Sequence, residues 1–135
     1  MCYKIFMKNK RKAFTLVEIL IVVAIIALLA GIAIPNLLRA KVASNQTTAQ
    51  ATLKTISTAL ETYSITNGHY PSDTTSLIGA APPYLNKDFF AATSNGYNFA
   101  ANISDYAYTV TAIPLSASQG TLSYSITTGG VLTTN

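Results

Sequence analysis

The sequence predicts an α+β protein in which one long N-terminal α-helix packs on a small antiparallel β-sheet. Three observations support this fold class. Residues 14–38 are almost continuously apolar, residues 39–66 carry an amphipathic helical pattern, and the residues after Gly96 alternate with period two. We therefore divide the chain into a basic leader at 1–13, an apolar half-helix at 14–38, an amphipathic half-helix at 39–66 and a head at 67–135.

Positive charge is concentrated in the leader. The chain has a formal net charge of +4, but the leader alone contributes +5 and contains no acid. The basic residues are Lys4, Lys8, Lys10, Arg11 and Lys12. Because the rest of the chain is close to neutral, the sequence does not indicate a basic face for nucleic acid.

The apolar half-helix is long enough to cross a bilayer, whose hydrocarbon core of ~30 Å needs about 20 helical residues. A basic leader before such a span is retained on the cytoplasmic side. The sequence thus predicts a single pass through the cytoplasmic membrane with residues 40–135 translocated. A cleaved secretory signal is the competing interpretation, but its apolar core is usually about 7–15 residues long, and the segment here is longer.

The second half-helix is amphipathic. Apolar or small residues at helical spacing predict one buried stripe, comprising Val42, Ala49, Leu53, Ile56, Leu60 and Tyr63. The opposite, polar side is predicted to comprise Thr47, Thr48, Gln50, Lys54, Ser57 and Glu61. Asn67-Gly68 is the predicted end of the helix, because glycine readily adopts the left-handed conformation found at helix C-termini.

The head begins with a loop and ends in strands. Residues 67–96 are rich in Pro, Gly, Asn and Ser, with a short helix or turn expected around Ser76–Ile78. Alternation then predicts three or four antiparallel strands, with Gly129-Gly130 as a turn. The inward set is predicted to include Tyr106, Tyr108, Val110, Ala112, Leu122, Tyr124 and Ile126.

The N-terminal residues resemble a known family. The run Lys12-Ala13-Phe14-Thr15-Leu16-Val17-Glu18, the apolar segment that follows it and Tyr70-Pro71 after the helix are similar to type IV prepilins and type II secretion pseudopilins. The resemblance implies a pilin-like fold and the structural subunit of a filament, with no enzymatic activity and no cofactor. This chain has Ala13 where the family usually has glycine.

The same resemblance implies the partners of the protein. A prepilin peptidase would cut between Ala13 and Phe14 and then methylate the new Phe14 amine. Further partners would be copies of the chain or related pilins, and a pilus or secretion machinery. Because lipid already shields the apolar half-helix, its extraction should need external work, which predicts an assembly ATPase as a further partner. The product would be a cell-surface or periplasmic filament, and the sequence does not distinguish a pilus from a secretion filament.

Glu18 is the acid that interrupts the apolar run, where an ionisable group is expensive and indicates function. It could compensate the Phe14 ammonium within one chain, since positions 14 and 18 share a helix face. The resemblance instead implies pairing with Phe14 of a neighbouring subunit. A third interpretation places Glu18 at the membrane interface without a partner.

Pro35 lacks an N–H and its ring opposes the carbonyl of Gly31, so one helical hydrogen bond is lost. The segment 31–35 is therefore predicted to kink, or to unwind as the resemblance implies for filaments. Elsewhere, His69 is the only histidine and Cys2 the only cysteine. Their isolation and the scattered acids of the head predict no metal site and no nucleophilic catalytic site.

Two functions of different classes follow from these features. One is a filament subunit that polymerises through its N-terminal helix after cleavage. The other is a binding domain held outside the membrane by an uncleaved signal anchor, for which removal of the leader would not occur and Glu18 would be dispensable.

Overall fold

The computed structural model describes residues 13–135. Its elements are α1 (Leu16–Asn67), α2 (Thr75–Ile78), β1 (Tyr97–Ser104), β2 (Ala107–Pro114), β3 (Tyr124–Thr127) and β4 (Val131–Thr134). The described chain divides into two units, one that ends at Asn36 and one from Leu37 to Asn135. Residues 1–12 of the predicted leader, 1–13, lie outside the described residues. The long helix and the small sheet confirm the predicted α+β class.

The end of α1 has the predicted form. Gly68 follows the last helical residue with φ +81°, and its N–H donates to the carbonyl of Ser64 at 2.8 Å. A positive φ at this position costs glycine little because it has no Cβ. Asn67-Gly68 therefore ends the helix as the sequence predicted.

The core of the second unit lies between α1 and the sheet. The helix contributes Ala49, Leu53, Ile56, Ala59 and Leu60, all at most 5% exposed. These positions include the central members of the predicted stripe, while Val42 and Tyr63 at its two ends are only half-buried. Burial of this stripe against the sheet is the main apolar contact that holds the head to the helix.

The sheet is a four-stranded antiparallel meander in the order β1-β2-β3-β4. Its register places Phe99 opposite Ala112 and Val110 opposite Ile126, so alternate residues of neighbouring strands face α1 together. Gly129 and Gly130 both have positive φ in the turn before β4, which confirms the predicted turn.

Two residues of the predicted inward set lie elsewhere. Tyr106 belongs to the turn between β1 and β2 and is 85% exposed, and Leu122 precedes β3 and is 41% exposed. In both cases the alternating pattern continues past the end of the strand. Periodicity alone does not mark where strand pairing stops.

The segment between α1 and β1 is mostly loop, with α2 where a short helix or turn was expected. Leu77 of α2 is fully buried, and its carbonyl accepts hydrogen bonds from the N–H groups of Tyr84 and Leu85 at 2.9 and 3.0 Å. One buried side chain and its backbone thus anchor this loop to the core.

The assignment of Ser57 and Glu61 to the polar side of the helix is wrong. Ser57 is 4% exposed, and its Oγ lies 2.7 Å from the hydroxyl of Tyr108. The Glu61 carboxylate accepts hydrogen bonds from the hydroxyls of Tyr108 and Tyr70, each at 3.0 Å, and from the N–H of Gly129 at 2.9 Å. One carboxylate therefore ties the helix to β2, to the β3–β4 turn and to the loop after α1.

We predict that Glu61→Ala destabilises the head. The substitution leaves the hydroxyls of Tyr70 and Tyr108 and the N–H of Gly129 without their charged acceptor. A hydrogen bond to a charged group contributes roughly 1.5–3 kcal/mol to stability, and less when the group is partly solvated. We expect a loss of about 2 kcal/mol in the free energy of unfolding, measured by urea denaturation in detergent. Lys54→Ala, at an exposed position of the same helix, is the matched control. Equal stability of the two variants would contradict this role for Glu61.

The same network predicts a decline in stability at alkaline pH. Burial, together with the adjacent Glu61 carboxylate, raises the pKa of Tyr70 to about 12. In the unfolded chain a tyrosine ionises near pH 10. The stabilisation is therefore complete below about pH 10 and is lost as the pH rises from 10 towards 12. Urea denaturation across this range should show a shallower decline for Tyr70→Phe than for Tyr106→Phe, which alters an exposed phenol.

Candidate functional site

The apolar segment 14–38 has no covering within the described chain. Its large apolar side chains range from 47% exposed at Leu38 to 82% exposed at Phe14. They are Phe14, Leu16, Val17, Ile19, Leu20, Ile21, Val22, Val23, Ile25, Ile26, Leu28, Leu29, Ile32, Ile34, Leu37 and Leu38. Contiguous exposed apolar surface of this extent marks a site for membrane or protein contact.

The length and composition of α1 suit a membrane. Among the described helices, α1 alone is long and apolar enough to cross a bilayer, and its most apolar part is not buried against the protein. A helix that is apolar on every side suits either lipid or a bundle of other helices. This surface is the candidate functional site.

The helix begins with a reciprocal pair of hydrogen bonds between Thr15 and Glu18. The N–H of Glu18 donates to Thr15 Oγ1 at 3.2 Å, and Glu18 Oε2 accepts from the N–H of Thr15 at 2.8 Å. Thr15 Oγ1 also donates to Oε2 at 3.0 Å. This is a capping box, in which threonine precedes the helix and an acid occupies its third residue. The sequence pattern Thr-x-x-Glu before an apolar run is typical of such a box, but the box was not among the features predicted from the sequence.

The capping box places the Glu18 carboxylate near the predicted charge partner. Oε2 lies 2.8 Å from the Thr15 nitrogen. Consecutive backbone nitrogens are at most about 3.7 Å apart, so the Phe14 nitrogen is within about 6.5 Å of Oε2. In the uncleaved chain that nitrogen is a neutral amide. Pairing of Phe14 with Glu18, within or between chains, thus remains a prediction for the processed protein.

Ala13 and Phe14 precede the helix, and both are exposed. Neither has regular secondary structure. The bond between them is therefore accessible in the described conformation.

Gly31 and Pro35 both lie within α1, which has no interruption in its assignment from Leu16 to Asn67. A side chain at Gly31 would meet no atom within 4 Å, so packing inside the chain does not explain this glycine. The missing N–H of Pro35 still leaves the carbonyl of Gly31 without its helical donor. Unwinding of 31–35 in an assembled state remains a prediction.

The described residues contain no cluster of three or more His, Cys, Asp or Glu side chains that could hold a metal ion. Within 13–135, every buried side-chain nitrogen and oxygen also has a hydrogen-bond partner. Among the described residues, the helix surface therefore remains the candidate site.

Two family descriptions match adjoining parts of the chain. The prokaryotic N-terminal methylation motif matches residues 8–34, and the type II secretion system protein G family matches residues 36–112. The second match covers more than half of the sequence. The chain belongs to the family of type IV pilins and type II secretion pseudopilins. The resemblance noted from the N-terminal residues is thereby confirmed.

Relatives come from both branches of this pilin family. The type IV wide pilus major component PilA4 of Thermus thermophilus is 40% identical over 90 residues, covering 64% of this chain and 69% of that protein. The type IV major pilin protein PilA of Myxococcus xanthus is 41% identical over 78 residues, covering 58% and 35% respectively. The type II secretion system core protein G of Escherichia coli is 36% identical over 64 residues, covering 47% and 44%. The chain thus spans less than half the length of the last two.

We predict that Thr15→Val frays the first turn of this pilin-family helix. The substitution removes the hydroxyl that accepts from the N–H of Glu18 and donates to its carboxylate, so the first turn loses its cap. Amide hydrogen exchange in detergent micelles should become faster for Glu18 and Ile19, whose N–H groups donate to the hydroxyl and the carbonyl of Thr15. Thr47→Val is the matched control, because that hydroxyl donates to the carbonyl of Ala43 within the helix. Unchanged exchange at Glu18 and Ile19 would show that the capping box does not stabilise the helix end.

Proposed function

We propose that this protein is the precursor of a filament subunit, either a type IV pilin or a type II secretion pseudopilin. The observation that carries the proposal is the apolar surface of 14–38, which is exposed along its whole length. Membership of the pilin family supports it, because the relatives include a major pilin, a major pilus component and several core proteins G. Copies of the chain, or related pilins, would cover this surface in the filament.

Before assembly, the segment 14–38 spans the cytoplasmic membrane with its N-terminus inside. The basic leader is the basis for this orientation. Lipid shields the segment as well as other helices would, so removing it from the bilayer gains little hydrophobic free energy. Extraction therefore needs external work, and we assign this work to an assembly machinery with an ATPase.

Processing creates the assembly-competent end. A prepilin peptidase cuts between Ala13 and Phe14 and methylates the Phe14 amine. The exposure of both residues is compatible with cleavage. Alanine is the next-smallest residue after glycine, so Ala13 still leaves room at the position before the cut.

In the filament, Glu18 of one subunit pairs with the Phe14 ammonium of its neighbour and sets the register of addition. A charged pair between apolar helices is favourable only when both partners are present, since an unpaired charge there is costly. The segment 31–35 unwinds around Gly31 and Pro35 as the helices pack. The head, residues 67–135, remains on the outside.

We predict that the mature protein begins at Phe14 and carries one added methyl group. Intact mass spectrometry of the chain produced with a prepilin peptidase measures both changes. Ala13→Gly, which introduces the usual family residue, is the positive control for cleavage. If the wild-type protein keeps Met1 while the Ala13→Gly variant is cleaved, the result would favour the uncleaved signal anchor instead.

We also predict that Glu18→Gln abolishes filament formation but leaves cleavage intact. The amide keeps the size of the side chain and removes the charge that answers the Phe14 ammonium. Electron microscopy of sheared surface filaments, with the mass measurement on the same cells, separates the two effects. Asp105→Asn is the matched control, since Asp105 is an exposed acid of the head. Normal filaments with Glu18→Gln would refute the charge pairing.

The kind of filament is tested by deletion of the gene in its host. Loss of surface fibres with normal protein export supports a type IV pilus. Loss of export supports a secretion filament. Both outcomes keep the subunit role, and normal fibres together with normal export would contradict it.

A further inference from the structure

The connection between β2 and β3, residues 115–123, is held against α1 and is here named the base loop. Asn45 Nδ2 donates to the carbonyl oxygen of Gln119 at 2.9 Å and to its Oε1 at 3.1 Å. Gln46 Nε2 donates to Thr121 Oγ1 at 2.9 Å. Three hydrogen bonds from two consecutive helical residues therefore fix the base loop at one level of the helix.

The first strand holds the same loop from the other side. The hydroxyl of Tyr97 donates to the carbonyl of Leu122 at 2.8 Å, and the N–H of Leu115 donates to the carbonyl of Gly96 at 2.9 Å. Gly120 lies directly against the Tyr97 ring, where any side chain would overlap it. The base loop is thus a fixed surface of the head.

This fixed surface presents apolar side chains to the outside. Leu115 is 57% exposed and Leu122 is 41% exposed, although the backbone of each is hydrogen-bonded. The sequence contains no charged residue from 106 to 135. Exposed leucines on a loop without charge give the head an apolar edge that suits a membrane interface.

The base loop lies close to the end of the apolar segment. Asn45 and Gln46 are seven and eight residues beyond Leu38 on α1, which is about 10–12 Å along a helix. The headgroup layer on each side of a bilayer is roughly 5–8 Å thick, and spanning helices tilt by about 20° on average. The base loop is therefore within reach of the surface of a membrane that ends near Leu38.

Charged side chains are distributed unevenly along the direction from the base loop to the far end of the strands. Arg39 and Lys41 are exposed on the helix between Leu38 and Asn45. The acids Asp73 and Asp105 lie at the other end of the strands, where the N–H of Tyr70 donates to the carbonyl of Asp105 and Asp73 adjoins Asn102 and Ile103. The two cations thus lie at the base-loop end of the helix, and these two acids lie at the far end. A third acid, Asp88, lies nearer the base loop, since its carboxylate accepts from the N–H of Phe90, which lines a pocket with Leu115, and the cation Lys87 adjoins it in sequence. Anionic lipid headgroups complement the two helix cations.

We propose that the base loop rests on the surface of the membrane that holds residues 14–38. Leu115 and Leu122 enter the headgroup layer, and Arg39 and Lys41 pair with lipid phosphates. An apolar edge flanked by cations binds such an interface in this way. The inference rests on the proposed membrane span. It makes the membrane, before assembly, a second support for the head besides α1.

The chain contains no tryptophan, so single substitutions give an unambiguous fluorescence reporter. Leu115→Trp and Leu122→Trp probe the base loop, and Tyr106→Trp probes the exposed far end of the head. Ile26→Trp probes the span itself. Each full-length variant is reconstituted in vesicles of phosphatidylcholine and phosphatidylglycerol, with acyl chains that are plain, brominated close to the glycerol or brominated near the terminal methyl group.

We expect bromine near the terminal methyl group to quench Ile26→Trp, and bromine close to the glycerol to quench Leu115→Trp and Leu122→Trp. Neither lipid should quench Tyr106→Trp. Replacing Arg39 and Lys41 by glutamine should weaken the quenching at 115 and 122 without changing it at 26. Because Leu115 and Leu122 are exposed, both substitutions should leave the urea midpoint unchanged, which checks that the head is folded.

Three results would overturn the inference. If bromine quenches Ile26→Trp but leaves the two base-loop reporters as unquenched as Tyr106→Trp, residues 14–38 span the membrane and the base loop does not touch lipid. If Ile26→Trp is not quenched, the proposed span fails first. If the base-loop emission shifts to the blue only as the protein-to-lipid ratio rises, without bromine quenching, a second copy covers the loop instead.

Discussion

A helix surface that is apolar on every side cannot be buried by the chain that carries it, and this constraint governs the rest of the molecule. Between 14 and 38 the described side chains point outward in all directions, and each large one is at least 47% exposed. Lipid and other helices satisfy such a surface about equally well. The hydrophobic effect therefore keeps the segment out of water, but it gives nearly the same free energy in a membrane and in a filament. We propose that the polar and irregular positions of the segment, Thr15, Glu18 and Pro35, distinguish the two environments.

The same helix takes a different role beyond Leu38. From Ala49 onward one stripe is buried under the sheet, and the rest faces solvent with threonines at 55, 58, 62 and 66. Each of these hydroxyls donates to the carbonyl four residues earlier, so the exposed threonines satisfy themselves within the helix. The head is small and has no disulfide, because the only cysteine is Cys2. Its stability depends on this stripe and on the Glu61 network, which together make the helix part of the core of the head.

The periodic features of the fold were predictable from sequence, and the contacts between distant segments were not. Alternation after Gly96 and the two glycines at 129 and 130 indicate strands and a turn, because they reflect local geometry. Glu61 looks like a surface residue in the helical pattern, since only the folded chain brings Tyr70 and Tyr108 to its carboxylate. Asn45 is likewise an ordinary polar residue until the base loop reaches it. At the N-terminus the acid was recognised from its rarity in an apolar run, but its threonine partner was overlooked.

The capping box gives Glu18 a role in the uncleaved chain as well as in the proposed processed form. In the uncleaved chain, the Glu18 carboxylate satisfies the N–H of Thr15, one of the backbone donors at the start of the helix. The proposed cleavage before Phe14 would remove the five leader cations and add an ammonium at a helix N-terminus, where the macrodipole is already positive. That ammonium is unfavourable unless a nearby anion offsets it. Neutralising Glu18 would leave that ammonium without a nearby anion at the end of an apolar rod, where an unpaired charge in a helical bundle is costly.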